Sequence, residues 1–227
     1  MPLISIEEVI KAPPKGEVFV VDTNFIIFCS ENSNDHQVSL AKNLKTILLE
    51  NDCFLVYNVS TKNELLHHLR EFQLNQVFKG NSEIKVNDSV KKAYEYFINN
   101  SNKSLSKWVL ESGYGSILLE MFGNNGEKLK MLFDDLVEDF IYSSDYYENG
   151  TVNKSAWENV FKIMAEHALD STDAMILNFG LSDQSFNGLI SLDRDFNYCA
   201  KTGNFKILLP NTYISDKTRN KEWRLKK

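Results

Sequence analysis

The sequence has few of the features that mark secreted or membrane-spanning proteins. It contains three cysteines, and no two of them are close enough in sequence to form a zinc knuckle or a redox pair. Its longest apolar stretch, Val18–Cys29, is interrupted by Asp22 and Asn24 and is too short to cross a bilayer. The first residues lack the basic segment followed by an apolar segment that a secretory signal would show. These absences predict a reduced, cytoplasmic protein with no membrane partner.

Several common catalytic motifs are also absent. No glycine-rich loop ends in Gly-Lys-Ser or Gly-Lys-Thr, which excludes a P-loop nucleotide site. No serine stands in a Gly-x-Ser-x-Gly elbow, which argues against a hydrolase nucleophile of that type. Glu64 and His67 have di-iron spacing, but such bundles need the pair twice and it occurs once.

The chain has fewer basic than acidic side chains. Its 227 residues include 31 acidic and 25 basic side chains, for a formal net charge of −6. This balance argues against a surface coated in positive charge for non-specific nucleic-acid binding, although it allows a local basic groove. The surplus carboxylates are available to hold a divalent cation. Hydrophobic residues make up 43% of the chain, which is typical of a globular protein.

Alternating apolar strands and amphipathic helices predict an α/β domain. Short apolar runs predict four strands: Val18–Val21, Cys53–Tyr57, Leu189–Leu192 and Lys206–Leu209. Helical patterns lie between them, from about 36 to 50, from 60 to 74, from 155 to 169 and from 171 to about 181. The alternation predicts a three-layer α/β/α domain with a mostly parallel central sheet.

The middle of the chain interrupts this alternation. Residues from about 78 to 154 show helical patterns, near 89–98 and 127–142, and no strand signal. We therefore predict a single domain over residues 1–210, with a helical insertion at about 78–154 and a basic tail at 211–227. The insertion either controls the choice of substrate or partner or simply enlarges the core.

Four carboxylates are predicted to meet at one edge of the sheet. Asp22 and Asp193 directly follow predicted strands. Glu64 lies in the first turn of the helix after the second strand, and Asp173 lies in the first turn of the helix before the third. Ligands of open α/β sheets bind at the carboxyl ends of the strands. Crowded carboxylates repel one another unless a cation such as Mg²⁺ or Mn²⁺ joins them.

Each of these acids also has a purely structural interpretation. Asp22 can cap the helix that follows it. Glu64 stands three residues after Thr61, as in a capping box. The remaining acids can be helix-cap, helix-dipole or turn residues: Asp170, Asp173, Asp193 and Asp195.

The chain resembles PIN-domain nucleases in four blocks. In chain order these are Val-Val-Asp22-Thr23-Asn24, Thr-Lys-Asn-Glu64-Leu-Leu, Ser-Thr-Asp173-Ala-Met-Ile-Leu and Leu-Ile-Ser191-Leu-Asp193-Arg-Asp195-Phe. Their order and local context match the family, in its toxin-type or related bacterial members. The resemblance covers about residues 18–74 and 155–209. The second and third acids are 109 positions apart, a wider gap than the compact toxin members show.

The resemblance implies a PIN-like fold and a nuclease that depends on Mg²⁺ or Mn²⁺. Such an enzyme, most often an endoribonuclease, hydrolyses phosphodiester bonds with a metal-activated water. The direct metal ligands would be Asp22 and Asp173. Glu64 and Asp193 would bind through water or complete a second metal site. The implied auxiliary residues are Asp195, Asn24, Thr23 and Ser191.

The resemblance implies that the substrate is RNA, and single-stranded DNA is the alternative substrate. Lys62 and Arg194 flank the acids in sequence and are predicted to contact nucleic acid, and the tail supplies six more cations. The resemblance also leaves open an antitoxin or other protein partner, and a homodimer.

Two alternative functions stay open. A PIN-like fold can bind RNA or protein without catalysis, although such degenerate members usually lose at least one acid and this chain keeps all four. A haloacid-dehalogenase-type phosphatase also carries an aspartate after its first strand. It needs a second aspartate two positions later, where this chain has Asn24.

Overall fold

The computed structural model describes residues 1–123, 126–143, 154–199 and 204–214. Within these residues, six strands form one sheet in the order β1-β6-β5-β2-β3-β4, and every neighbouring pair is parallel. The strands are β1 (Leu3–Ser5), β2 (Val18–Val21), β3 (Phe54–Tyr57), β4 (Ile141–Tyr142), β5 (Gly188–Ile190) and β6 (Lys206–Leu209). The predicted α/β class with a parallel central sheet is confirmed.

Helices account for most of the remaining described chain. Their bounds are α1 (Ile6–Lys11), α2 (Thr23–Ser30), α3 (His36–Glu50), α4 (Val59–Lys79), α5 (Asp88–Asn100), α6 (Leu105–Glu111), α7 (Gly115–Gly123), α8 (Gly126–Leu136), α9 (Lys154–His167), α10 (Ser171–Ser182) and α11 (Asn211–Ile214). A short 3-10 helix, Asp195–Cys199, follows β5. Residues 215–227, which contain most of the predicted basic tail, lie outside the described residues.

The central strands are covered on both faces. Val20 of β2 and Leu189 of β5 lie in a core cluster with residues of α9 and α10. Side chains alternate along a strand, so Val21 and Ile190 point to the opposite face, and they are equally buried. This two-sided burial explains why these strands have continuous apolar runs instead of an alternating pattern.

The sequence does not predict two of the six strands, because they are very short. β1 has three residues and pairs with β6, and β4 has two residues and pairs with β3. Periodicity is recognisable only over about four residues or more. The expectation of no strand between about 78 and 154 is wrong, because β4 lies inside that segment. The strand predicted to reach Leu192 ends at Ile190.

The chain divides into two compact units. The first, Met1–Lys62 with Val137–Lys227, contains the sheet, and the second is Asn63–Leu136. The second unit has its own aromatic core, where Phe78 stacks on Tyr94 with ring centroids 4.8 Å apart and Phe97 stacks on Trp108 at 4.9 Å. Most of the predicted insertion therefore packs around a cluster of its own.

In the described part of the chain, no helix is long and apolar enough to cross a membrane. Cys29, Cys53 and Cys199 are buried. Burial raises the pKa of the Cys29 thiol to about 12, so it stays protonated and unreactive at neutral pH.

β5 begins with a glycine that close strand packing requires. A Cβ atom on Gly188 would lie 2.5 Å from the backbone oxygen of Lys206 in β6. That oxygen belongs to a paired strand, so it cannot move without disturbing the sheet. Gly180 of α10 differs, because its Cβ would meet the ring of Phe205 at 2.6 Å, and that ring is the end of a flexible, partly exposed side chain.

We expect Gly188→Ala to lower the free energy of unfolding by about 1–3 kcal/mol or more, because overpacking against backbone cannot relax. Gly180→Ala is the matched control. There Phe205 can rotate away, and alanine in a helix recovers about 0.5–1 kcal/mol over glycine. Urea unfolding of both variants measures the difference, and equal losses would contradict the requirement for glycine at β5.

Candidate active site

Asp22 lies at the carboxyl end of β2, and its carboxylate is buried with only 1% of the residue exposed. One oxygen, Oδ1, accepts from the backbone N–H of Thr23 at 2.7 Å, so the side chain caps α2. The other, Oδ2, accepts from the hydroxyl of Ser191 at 2.8 Å. A buried charge needs such donors to offset its loss of hydration. The structural interpretation of Asp22 as a helix cap is therefore correct, and the residue also connects β2 to the chain beyond β5.

Ser191 links the two acids that follow neighbouring strands. It is fully buried, donates to Asp22 and accepts from the backbone N–H of Asp193 at 2.9 Å. This hydroxyl therefore fixes the turn that carries Asp193, in addition to orienting the Asp22 carboxylate. Because a hydroxyl can donate one hydrogen bond and accept others, one side chain satisfies both contacts.

The Asp193 carboxylate is held by two further donors. Oδ1 accepts from the backbone N–H of Asp195 at 2.9 Å, and Oδ2 accepts from Asn24 Nδ2 in a longer contact of 3.4 Å. The first contact is a local turn that begins the 3-10 helix, whose Phe196 is fully buried in the core. A single network thus runs from the buried Asp22 to the partly exposed Asp193 and the exposed Asp195.

Asp173 is positioned by the start of α10. The carboxylate of Asp170 accepts from the backbone N–H groups of Thr172 at 2.8 Å and Asp173 at 2.9 Å. Asp170 is therefore the N-cap, as the sequence predicts for it. The next residue, Ala174, is fully buried in the same core cluster as Val20. This packing fixes the first turn of α10, which carries the half-buried Asp173.

Glu64 lies in the second turn of α4, not in the first, because the helix already begins at Val59. Thr61 is not its cap, so the predicted capping box does not form. Asn58 has that role instead, since its Oδ1 accepts from the backbone N–H of Thr61 at 3.1 Å. Glu64 belongs to the second compact unit, and its part in the site stays a prediction.

Sequence reasoning missed Asn58 and Thr61 as site-edge residues. Both are fully buried, and Thr61 Oγ1 donates to the backbone oxygen of Val21 at 3.4 Å, directly before Asp22. In the described residues, Asn58 Nδ2 and the nearby Ser60 Oγ are buried without a hydrogen-bond partner. An asparagine between an apolar strand and a helix is a recognisable N-cap signal, so Asn58 could have been found.

The two predicted cations each lie over an aromatic ring. Lys62 Nζ is 4.9 Å from the centroid of Tyr142, and the Arg194 guanidinium carbon is 4.9 Å from the centroid of Tyr213. Lys62 is in the first turn of α4, after β3, and Arg194 follows Asp193. Both basic side chains therefore belong to segments that follow the carboxyl end of a strand.

The donor chemistry of this network suits a hard divalent cation. Carboxylate oxygens are the ligands that Mg²⁺ and Mn²⁺ prefer, and an oxygen that accepts one hydrogen bond keeps a second lone pair. Among the described residues, however, no three histidine, cysteine, aspartate or glutamate side chains form a group that could hold a metal ion. The residues that the geometry joins are Asp22 and Asp193, and they could supply part of a coordination sphere.

Comparison of the chain with protein-family models, with curated proteins and with solved structures found no match. The interpretation of the site therefore depends on its own residues and on the four sequence blocks.

We expect Ser191→Ala to lower the free energy of unfolding by about 1–3 kcal/mol, because it removes a donor from a buried carboxylate and an acceptor from the Asp193 turn. Ser30→Ala is the matched control, since the exposed Ser30 hydroxyl donates to the Ile27 backbone oxygen at 2.8 Å. Its loss should stay within about 0.5 kcal/mol. Chemical denaturation compares the two, and an equally small loss at Ser191 would show that the network contributes little.

Proposed function

We propose that this protein is a divalent-metal-dependent nuclease of the PIN type and that it acts as an endoribonuclease. The observation that carries the proposal is the hydrogen-bonded Asp22–Ser191–Asp193 connection at the carboxyl edge of a parallel sheet. This edge is where ligands of such sheets bind. The order and context of the four acidic blocks support the same reading. The cytoplasmic location, an antitoxin partner and a homodimer stay predictions.

Some of the site residues would bind the metal ion, and others orient the carboxylates that bind it. Asp22 and Asp173 would be the direct ligands of the cation, as the resemblance implies, and Glu64 and Asp193 would bind it through water or complete a second metal site. When bound, a divalent cation stabilises negative charge on the scissile phosphate and lowers the pKa of a water that attacks phosphorus. Ser191 holds the Asp22 carboxylate in place, so this ligand is oriented before substrate arrives.

The second carboxylate of the network is oriented in a comparable way. Asn24 and the backbone of Asp195 hold Asp193. The contact of Asn24 with Asp193 also bears on the phosphatase alternative. An amide cannot act as a general acid, and here it serves to hold a carboxylate. A binding module without catalysis is the other alternative, and the experiments below distinguish it.

We expect Asp22→Asn to abolish cleavage of RNA and to leave the fold intact. The substitution preserves side-chain volume, and asparagine caps helices about as well as aspartate, but one ligand charge is lost. The control is Asp35→Asn, since Asp35 caps α3 by accepting from the backbone N–H of Gln37 at 2.7 Å. Cleavage of labelled RNA and of matched single-stranded DNA, with Mg²⁺ or Mn²⁺, gives the activities.

In this assay the Asp35 variant should cleave like the wild type. Turnover by a folded Asp22→Asn variant at the wild-type rate would overturn the assignment of Asp22. A wild-type protein that binds RNA but never cleaves it would favour the binding module.

Metal binding should also be visible without any substrate. We expect Mn²⁺ to raise the melting temperature, because a ligand that binds only the folded state adds about 2.7 kcal/mol at a hundredfold excess over its Kd. Asp22→Asn should lose most of this shift, and Asp35→Asn should keep it. Differential scanning calorimetry in a Mn²⁺ titration provides the measurement. The same shift in all three proteins would place the metal elsewhere.

A further inference from the structure

A cavity lies in the first compact unit, and none of the acids of the candidate active site lines it. It has a volume of about 290 Å³, and its lining comes from α1, the segment that follows α1, and the strands β1, β2 and β6. Most of the lining residues are apolar: Ile4, Val9, Ala12, Pro14, Phe19 and Leu208. A mostly apolar wall with a few polar groups is typical of sites that bind small molecules.

The register of the strands explains why space is left in this part of the sheet. Phe19 of β2 pairs with Gly188 of β5, and Gly188 pairs in turn with Lys206 of β6. Residues that pair in this way project from the same face, so the row between Phe19 and Lys206 lacks a side chain at its middle position. Because a Cβ atom on Gly188 would clash with the backbone of β6, this gap is a fixed feature of the sheet.

Three charged side chains also line the cavity. Two of them form an ion pair, in which Lys206 Nζ donates to both carboxylate oxygens of Glu17, at 2.7 and 2.8 Å. The third is the exposed Glu8 of α1, whose carboxylate has no hydrogen bond or ion pair in the described part of the chain. The Glu17–Lys206 pair is neutral as a unit, so the lining has an excess of one negative charge.

This charge determines which ligands suit the cavity. A carboxylate or a phosphate would be repelled by Glu8, and a neutral ligand would leave the excess charge uncompensated. An ammonium group compensates it. Each Glu17 oxygen that accepts from Lys206 keeps a second lone pair, so Glu17 can accept from the same ammonium group.

The volume limits the size of the ligand. At about 30 Å³ for a group the size of a water molecule, the cavity holds about ten non-hydrogen atoms. A ligand of this size has room for one charged group and a short hydrocarbon part, which matches a lining of a few charges and a larger apolar wall.

We propose that this cavity binds a small organic ammonium ion, an aryl- or alkylamine of about ten non-hydrogen atoms. Its ammonium group lies between the carboxylates of Glu8 and Glu17, and its hydrocarbon part packs against Phe19 and Leu208. The inference does not depend on the proposed nuclease activity, because the cavity and the site at the carboxyl edge share no residue.

The test measures binding of three compounds of similar size and different charge to the full chain. Phenethylamine is cationic at neutral pH, phenethyl alcohol is neutral and hydrocinnamate is anionic. Isothermal titration calorimetry gives the three affinities. We expect phenethylamine to bind at least about tenfold more tightly than the alcohol, because it adds charge-assisted hydrogen bonds, and hydrocinnamate to bind most weakly.

Two variants locate the binding site. Glu8→Gln should weaken the binding of phenethylamine about tenfold and leave the binding of the alcohol unchanged. Glu50→Gln is the matched control, because Glu50 is an exposed glutamate of α3 that does not line the cavity, and it should bind like the wild type. Ala12→Leu fills part of the cavity and should weaken the binding of both compounds. Asp22→Asn should keep the wild-type affinity, which separates this cavity from the candidate active site.

Several results would overturn the proposal. Equal binding of the three compounds, or tighter binding of hydrocinnamate, would reject the ammonium ligand, and no binding of any compound would reject the site. An unchanged affinity for phenethylamine in Glu8→Gln would place the amine elsewhere. Circular dichroism melts check that each variant folds, and if Ala12→Leu does not, the comparison of Glu8→Gln with Glu50→Gln decides.

Discussion

The structure at the candidate site depends on one hydrogen bond between a serine and a buried carboxylate. The Ser191 hydroxyl reaches Asp22 across the boundary between β2 and β5, and the same oxygen accepts from the backbone of Asp193. Asp22 in turn caps α2, and the Asp193 carboxylate accepts from the backbone N–H of Asp195, where the 3-10 helix begins. Two strand ends and two helix starts therefore share one buried polar group. Without the Ser191 hydroxyl, the buried Asp22 carboxylate would lose one of its donors, which is costly.

The parts of the fold that the sequence predicts are those where local pattern and burial agree. The four longer strands have apolar runs because helices cover both of their faces, and the helices between them show the expected periodicity. The edge strands β1 and β4 are too short to carry a pattern, and pairing with β6 and β3 defines them. Tertiary contacts form these strands, so no local signal could reveal them.

In the candidate site, too, local sequence predicts some features and tertiary contacts determine the others. The positions of Asp22 and Asp193 after strands follow from the sequence, and so does Asp170 as the cap of α10. The bond between Asp22 and Ser191 joins residues 169 positions apart, and only the paired strands bring them together. The sequence predicts Thr61 as the cap of α4, whereas the structure has Asn58 there, because both residues have capping side chains and only the position of the helix start distinguishes them.

The order of strands along the chain has a consequence for biosynthesis. β2 and β5 are neighbours in the sheet, but Asp22, which follows β2, is synthesised 169 positions before Ser191, which follows β5. Contacts of such long sequence separation form late, because a long loop must close before they can stabilise anything. A nascent chain on the ribosome therefore has the first acid long before it has the residues that orient it. Any function that depends on the orientation of Asp22 by Ser191 therefore waits until the chain has been synthesised at least as far as Ser191.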